Sequence, residues 1–177
     1  PETDSEDTIV RLIALDESGD PILVNGNYTF ENGVAEEGVA QYKALAFDSS
    51  NTTFASGSEL SNQLGSVTVS SSDNATQVSG TDATAGSDYT ALGTTTVALG
   101  TAFSVTTLDD NIADNGETFT VGIDSYVAPT TGDAYENVSA SGTVTTTITD
   151  NTGITPPTDT PETDSEDTIV RLIALDE

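Results

Sequence analysis

Short alternations of apolar and polar residues run through most of the chain. The branched apolar run Thr8–Leu15 predicts a strand buried on both faces, with Arg11 as the exception. Val39–Phe47 alternates at every position, which predicts a strand with two distinct faces. Shorter segments of the same character are Tyr28–Phe30, Ser66–Ser70, Thr94–Leu99, Phe103–Leu108, Glu117–Ile123 and Gly142–Ile148. Turn residues separate them, among them Asn32-Gly33, so the pattern predicts an all-β, antiparallel β-sandwich.

Residues 56–65 interrupt this pattern and predict one short helical insertion. Ser56 and Glu59 have the spacing of a capping box, and Leu60 and Leu64 lie four residues apart. Gly65 follows as a helix stop. We therefore expect one or two helical turns where the chain crosses between the sheets.

The sequence of residues 1–17 recurs, letter for letter, at residues 161–177. The copies start at residues 1 and 161, so the chain contains one period of 160 residues and the start of the next. We interpret residues 1–151 as one repeat, 152–165 as a linker rich in proline and acidic residues, and 166–177 as the first strand of the next repeat. Such an array favours a length-giving or multivalent role over a single active site.

The second copy of the strand, Thr168–Leu175, comes without a domain of its own and would expose apolar side chains. We expect Ile169–Leu175 to pair with a neighbouring molecule, either by exchange into the slot of Thr8–Leu15 or by addition to a sheet edge.

The charge is strongly negative, with 30 acidic residues against three basic ones and a formal net charge of −27. Such a field repels nucleic acid and anionic lipid, so neither partner is expected. It also repels itself, which leaves two interpretations: a solvated surface, or carboxylates clustered around a divalent cation. Cysteine and histidine are both absent, which excludes disulfides, zinc sites with thiolate or imidazole ligands, and histidine-based catalytic triads.

Residues 107–120 hold the densest group of candidate ligands. One predicted strand ends in Asp109 and Asp110, a loop carries Asp114, and the next strand opens with Glu117. Calcium binds six to eight hard oxygen ligands from loops that can bend around it. The flanking strands and the spacing are unlike those of an EF-hand, so this would be a calcium site between strands.

Four segments, in order along residues 28–151, resemble the Calx-β family of immunoglobulin-like sandwiches, and closely resemble the Ig-like extender repeats of large bacterial RTX adhesins. They are the acidic-glycine turn Val34–Gly38, the loop Asp82–Thr90, the hairpin of Leu108–Asp110 with Glu117–Phe119, and the closing strand Thr147–Asn151. The resemblance implies an Ig-like, Greek-key sandwich. Residues 51–65 look like an insertion relative to the family, and the hairpin loop is longer.

In that family these segments meet at one end of the sandwich and bind calcium near the next domain. The resemblance implies a ligand set drawn from Asp88, Asp109, Asp110, Glu117 and Asp150, with Glu36 or Glu37. Asp114, which the longer hairpin loop adds to the family pattern, is a further candidate.

Other roles for these carboxylates remain open. Asp88 would equally serve as a turn cap, and Glu117 as a solvated strand residue. The linker residues Asp4, Glu6 and Asp7, with their copies, would either keep the linker soluble or complete a site shared with Asp150.

The expected function is a structural one: a calcium-rigidified extender in a long, secreted adhesin that is anchored in the bacterial outer membrane and acts in attachment and biofilm formation. Its partners would be calcium ions and identical neighbouring repeats, with no membrane contact by this domain. The alternative is a carbohydrate- or surface-binding module, for which Tyr126 and Tyr135 offer an aromatic platform. An enzyme is not expected, because no carboxylic acid lies in an apolar sequence context that would raise its pKa.

Overall fold

Eleven strands form the described part of the chain. The computed structural model describes residues 7–74, 82–109 and 115–149. In chain order the strands are β1 Asp7–Leu15, β2 Leu23–Val24, β3 Asn27–Tyr28, β4 Glu31–Ala35, β5 Val39–Asp48, β6 Ser66–Asp73, β7 Thr95–Ala98, β8 Ala102–Thr106, β9 Thr118–Val127, β10 Asn137–Ala140 and β11 Thr143–Thr149. Across those same ranges there is no helix of the length and apolarity needed to cross a membrane.

The strands form two main sheets that enclose a common core, as the sequence predicts for a β-sandwich. One sheet has the order β10-β1-β5-β8 and the other the order β4-β11-β9-β6-β7, while β2 and β3 form a separate hairpin. From β4 onward the chain changes sheet at every connection except that between β6 and β7, which is Greek-key connectivity. Two pairs, β1 with β10 and β4 with β11, are parallel. The predicted antiparallel β-sandwich is confirmed as the fold, and its two parallel pairs lie at sheet edges, where crossing connections bring distant strands together.

Strands β1 and β5 form the centre of the first sheet and bury both faces. They pair antiparallel from Thr8 opposite Asp48 to Leu15 opposite Gln41. On the inner face, alternate residues of both strands contribute to the main core: Val10, Leu12, Ala14, Ala40, Tyr42, Ala44 and Ala46. On the outer face a second apolar cluster contains Ile13, Leu15, Tyr28, Leu45 and Phe47, packed against Phe30 and Phe54. The predicted burial of both faces of β1 is confirmed.

The predicted helical insertion at residues 56–65 is wrong, because side chains take the backbone groups that a helix would need. The carboxylate of Glu59 accepts hydrogen bonds from the Gly57 N–H at 2.9 Å and from the Tyr28 hydroxyl at 2.8 Å. The side chain of Gln63 bonds the backbone of Ala46 in the neighbouring strand. Such local side-chain bonds compete with helix formation. The segment is a series of turns and isolated bridges, and its Leu60 packs against the main core.

The predicted turn at Asn32-Gly33 is also wrong, since these residues lie within β4. They pair with Thr146 and Thr147 of β11. The Asn32 side chain accepts a hydrogen bond from the Thr146 hydroxyl at 2.7 Å, which fixes it inside the sandwich. Tertiary pairing has overridden the local turn signal.

Two tyrosines are fully buried. The Tyr42 hydroxyl lies 2.6 Å from the Thr146 hydroxyl, and the Tyr89 hydroxyl donates to Asp73 at 2.7 Å. Burial raises the pKa of Tyr42 well above its usual value, and burial together with the bond to Asp73 does the same for Tyr89. The folded state holds these two protons more tightly than the unfolded chain does. Their contribution to the free energy of unfolding is therefore complete below about pH 10, and it is lost as the pH rises further.

Alkaline pH should therefore unfold the domain. We expect the free energy of unfolding to fall above pH 10 by up to about 1.4 kcal/mol per pH unit for each buried tyrosine. Urea titrations between pH 8 and pH 11 measure this slope. A Tyr42→Phe variant should show a slope shallower by one proton, and an unchanged slope would contradict the assignment.

Candidate metal centre

Five segments meet at one end of the sandwich, which we call the acidic pole: residues 35–38, 82–90, 107–109, 115–118 and 148–149. The strands β4, β8 and β11 end here, and β5 and β9 begin here. The first residue of β1 lies at the opposite end, because Thr8 pairs with Asp48 at the far end of β5. The described chain thus starts at one pole and ends, with Thr149, at the other.

Thr107 holds the acidic-glycine turn against the end of β8. Its hydroxyl donates to the Ala35 carbonyl at 2.7 Å and accepts from the Gly38 N–H at 2.9 Å. Its own N–H donates to the Gly38 carbonyl at 3.1 Å. A Cβ on Gly38 would lie 2.5 Å from the Val34 side chain and 2.6 Å from the Ala35 carbonyl oxygen, so only glycine fits this closely bonded turn.

The loop at residues 82–90 joins the ends of both sheets. The Leu108 N–H donates to the Asp88 carbonyl at 2.8 Å, which ties the loop to the segment after β8. The Ala83 N–H donates to the Thr118 carbonyl at 3.2 Å, which ties it to the start of β9. The backbone of Asp88 is therefore fixed relative to the segments that carry Asp109 and Glu117.

The end of β11 closes this arrangement. The Ile148 N–H donates to the Glu117 carbonyl at 2.8 Å, and the Glu36 N–H donates to the Thr149 carbonyl at 3.1 Å. The four segments that carry the family resemblance are thus connected by backbone hydrogen bonds, each to the next, around the acidic pole.

Three candidate ligands are buried there: Asp88 with 5% of its surface exposed, and Glu36 and Glu117 with 7% each. Asp109 is half-buried, whereas Glu37 is exposed and has a backbone φ of 54°. The burial of Glu117 excludes the solvated strand residue considered from sequence. One carboxylate oxygen of Asp88 accepts a hydrogen bond from the Thr84 N–H, so Asp88 does cap its turn.

Three other predicted ligands, Asp110, Asp114 and Asp150, lie outside the described residues, as do the linker at residues 152–165 and the strand copy at 166–177. Within residues 7–74, 82–109 and 115–149, no three acidic side chains group closely enough to hold a metal ion. The described ligands would therefore need oxygens from the rest of the chain to complete a site.

The backbone positions of the two basic residues in the described part of the chain, Arg11 and Lys43, lie away from this pole. Lys43 lies four residues along β5 from Val39, a separation of about 13 Å. Arg11 donates to the Ser141 carbonyl at 2.8 Å and lies 5.5 Å from the centre of the Phe54 ring. Buried carboxylates normally require a paired charge or a metal ion, because removing an ion from water costs several kcal/mol.

The sequence did not single out two aspartates, one within the pole and one beside it, whose surroundings the structure shows. Asp73 accepts hydrogen bonds from the Ala85 N–H at 2.9 Å and from the Tyr89 hydroxyl, and so supports the 82–90 loop from β6. One carboxylate oxygen of Asp82 is buried and accepts no hydrogen bond from the described residues. The motif containing Asp82 was recognised, but nothing in the sequence distinguished its carboxylate from the others.

Tyr126 and Tyr135, the proposed aromatic platform, lie at the other pole and bind the protein itself. Their ring centres are 6.2 Å apart, and both rings are partly buried against the main core. The Tyr126 hydroxyl donates to the Leu64 carbonyl at 3.0 Å, and the Tyr135 hydroxyl donates to the Asn62 carbonyl. The pair thus holds the end of the 51–65 insertion against the sandwich.

Comparison with known proteins finds two similar solved structures. No family model and no curated relative matches the chain. The crystal structure of the apo form of the Calx CBD1 domain is 16% identical, with a TM-score of 0.45, and the match covers 80% of this chain and 97% of that one. The structure of CBD12 from CALX1.2 is 17% identical, with a TM-score of 0.46 and coverage of 80% and 45%.

Proposed function

We propose that this chain is a structural repeat of a long surface protein, stabilised by calcium bound at the acidic pole. The observation that carries the proposal is the burial of Glu36, Asp88 and Glu117 at the pole where the described chain ends. No enzymatic step is part of this proposal.

Calcium suits the donors at this pole. Carboxylate and carbonyl oxygens are the hard ligands that calcium prefers, and no cysteine or histidine competes for a softer metal. Glu36, Asp88 and Glu117 would supply the buried oxygens and Asp109 a half-buried one. Asp110, Asp114 and Asp150 are proposed as the remaining ligands. A bound calcium would reduce the repulsion among the carboxylates gathered at this pole.

The positions of the chain ends support an extender role. The described chain begins at Asp7 at one pole and ends at Thr149 at the other, so successive units would lie end to end. The segment that follows carries three prolines, Pro156, Pro157 and Pro161, which favour a stiff, extended spacer. A calcium site at the exit pole would therefore lie beside each junction between units.

We infer a place for such an array at the bacterial cell surface, as part of an outer-membrane-anchored, secreted adhesin of the RTX type. Identical tandem units add length without adding a new binding site, which is what a protein needs to hold an adhesive tip away from the cell. The net charge of −27 keeps such a chain apart from other polyanions. A carbohydrate-binding role has less support, because the hydroxyls of Tyr126 and Tyr135 are bonded within the domain.

Small-angle X-ray scattering on a protein of two consecutive 160-residue units tests the extender role. With calcium, we expect a longer maximum dimension and a narrower distribution of interdomain angles than with a chelator, because neutralised carboxylates remove the repulsion at the junction. A single-unit protein is the control and should change little in length. Identical scattering of the two-unit protein with and without calcium would contradict the proposal.

A further inference from the structure

The position of β1 is an enclosed slot in the first sheet. β1 pairs parallel with β10 on one side and antiparallel with β5 on the other. Its side chains enter both apolar clusters, and Val10, Leu12, Ile13 and Ala14 have no exposed surface. The domain therefore needs a strand of this sequence in this place, since an empty slot would expose both cores.

Residues 168–175 have the same sequence as residues 8–15, so side-chain contacts within the slot cannot favour one copy over the other. Every contact with β5, β10 and the two clusters that the first copy makes is open to the second in the same register. We propose that residues 168–175 exchange with residues 8–15 as the strand that fills the β1 slot of the same chain.

The second copy can reach the slot. It must start at the pole opposite Thr149, and the nine residues of β1 span about 30 Å. The 18 residues from 150 to 167 can extend to about 60 Å, which exceeds the length of β1, so the strand can enter the slot with the same direction as β1.

The lengths of the connections favour the first copy. It joins Pro21 through the five residues 16–20, in a turn where the Asp16 carboxylate accepts from the N–H groups of Ser18 and Asp20. The second copy is joined through 18 residues. Each doubling of loop length lowers the closure constant about threefold, so the first copy is preferred by about sevenfold. Damage to the first copy should reverse this preference. In a tandem array, the strand between two units could complete either of them.

Matched aspartate substitutions in the two copies test the exchange. Leu172→Asp should leave the melting temperature unchanged, because the first copy fills the slot. Leu12→Asp should keep cooperative thermal unfolding, because the second copy replaces the damaged strand. Leu12→Asp with Leu172→Asp should abolish the cooperative transition, since either strand would then bury an unpaired charge. If Leu12→Asp alone behaves as the double variant does, the proposal is wrong.

A disulfide trap shows which copy occupies the slot. Ile13 is the cross-strand partner of Lys43, and Ile173 is its counterpart in the second copy. Paired residues in neighbouring strands lie within disulfide range, and the chain has no other cysteine. In a Leu12→Asp protein carrying Lys43→Cys and Ile173→Cys, we expect a disulfide within a monomer. A disulfide-linked dimer would place the strand in a second molecule, and no disulfide would exclude the exchange; both results overturn the proposal.

Discussion

Removal of calcium should lower the melting temperature of the domain by about 5–10 °C, and its return should restore it. A ligand that binds only the folded state at a hundredfold excess over its Kd stabilises that state by about 2.7 kcal/mol. For a domain of this size each kcal/mol corresponds to about 2–4 °C. Thermal unfolding followed by circular dichroism in EDTA and in excess calcium measures the difference. Coincident curves would contradict a calcium site anywhere in the chain.

Substitution of one buried carboxylate locates that stabilisation. Glu117→Gln should remove most of the increase in melting temperature produced by calcium. Glu136→Gln is the matched control: Glu136 is exposed, next to the β10 strand at the other pole, and its replacement should leave the calcium effect unchanged. An equal loss in both variants would point to a general charge effect.

The core strands could be predicted because the spacing of apolar residues in each of their sequences is by itself that of a β-strand. β1 and β5 have branched or small apolar residues at the spacing of a strand, and both lie where that spacing indicates. β10 could not be predicted, since Asn137–Ala140 is short and its burial comes from its parallel pairing with β1. β4 was mistaken for a turn for a similar reason, because its neighbour β11 lies more than one hundred residues away in the sequence.

The failure at residues 56–65 has the same origin. The helix signal there comes from the local sequence alone. Hydrogen bonds to residues elsewhere in the chain outweigh it. Glu59 meets the Tyr28 hydroxyl and Gln63 meets the backbone of Ala46, neither of which is within reach in sequence. A propensity of a few tenths of a kcal/mol per residue cannot compete with several such hydrogen bonds.

The loops that form the candidate site could be predicted, but the side chains whose oxygens lie buried there could not. The family resemblance implied that residues 36, 88, 109 and 117 belong to one end of a sandwich, and backbone hydrogen bonds connect their segments there. The choice between Glu36 and Glu37 depends on the turn, which buries the first and exposes the second. The support from Asp73 depends on its hydrogen bond to Tyr89, a contact between strand and loop that no spacing rule encodes.

Phe119→Ala should be the most destabilising single substitution near the site, with a loss of about 3–5 kcal/mol in the free energy of unfolding. The Phe119 ring has no exposed surface and stacks on Tyr89, with 4.2 Å between ring centres and 11° between planes. Its removal leaves a cavity that the two sheets cannot close without moving. Chemical denaturation in EDTA measures this loss apart from any effect of calcium.

The same substitution should weaken calcium binding, because the stacked rings join two of the segments that carry ligands. Tyr89 follows Asp88 directly, and Phe119 lies two residues after Glu117. Without the stacked rings, the distance between the carboxylates of Asp88 and Glu117 is no longer fixed. Ordering these carboxylates on binding then costs part of the binding free energy. Phe103→Ala is the control, since Phe103 packs on Tyr42 from the edge strand β8 and is only partly buried. We expect isothermal titration to show a raised Kd for calcium in Phe119→Ala and an unchanged Kd in Phe103→Ala. Equal affinities of the two variants for calcium would show that the Phe119–Tyr89 stack does not position the ligands.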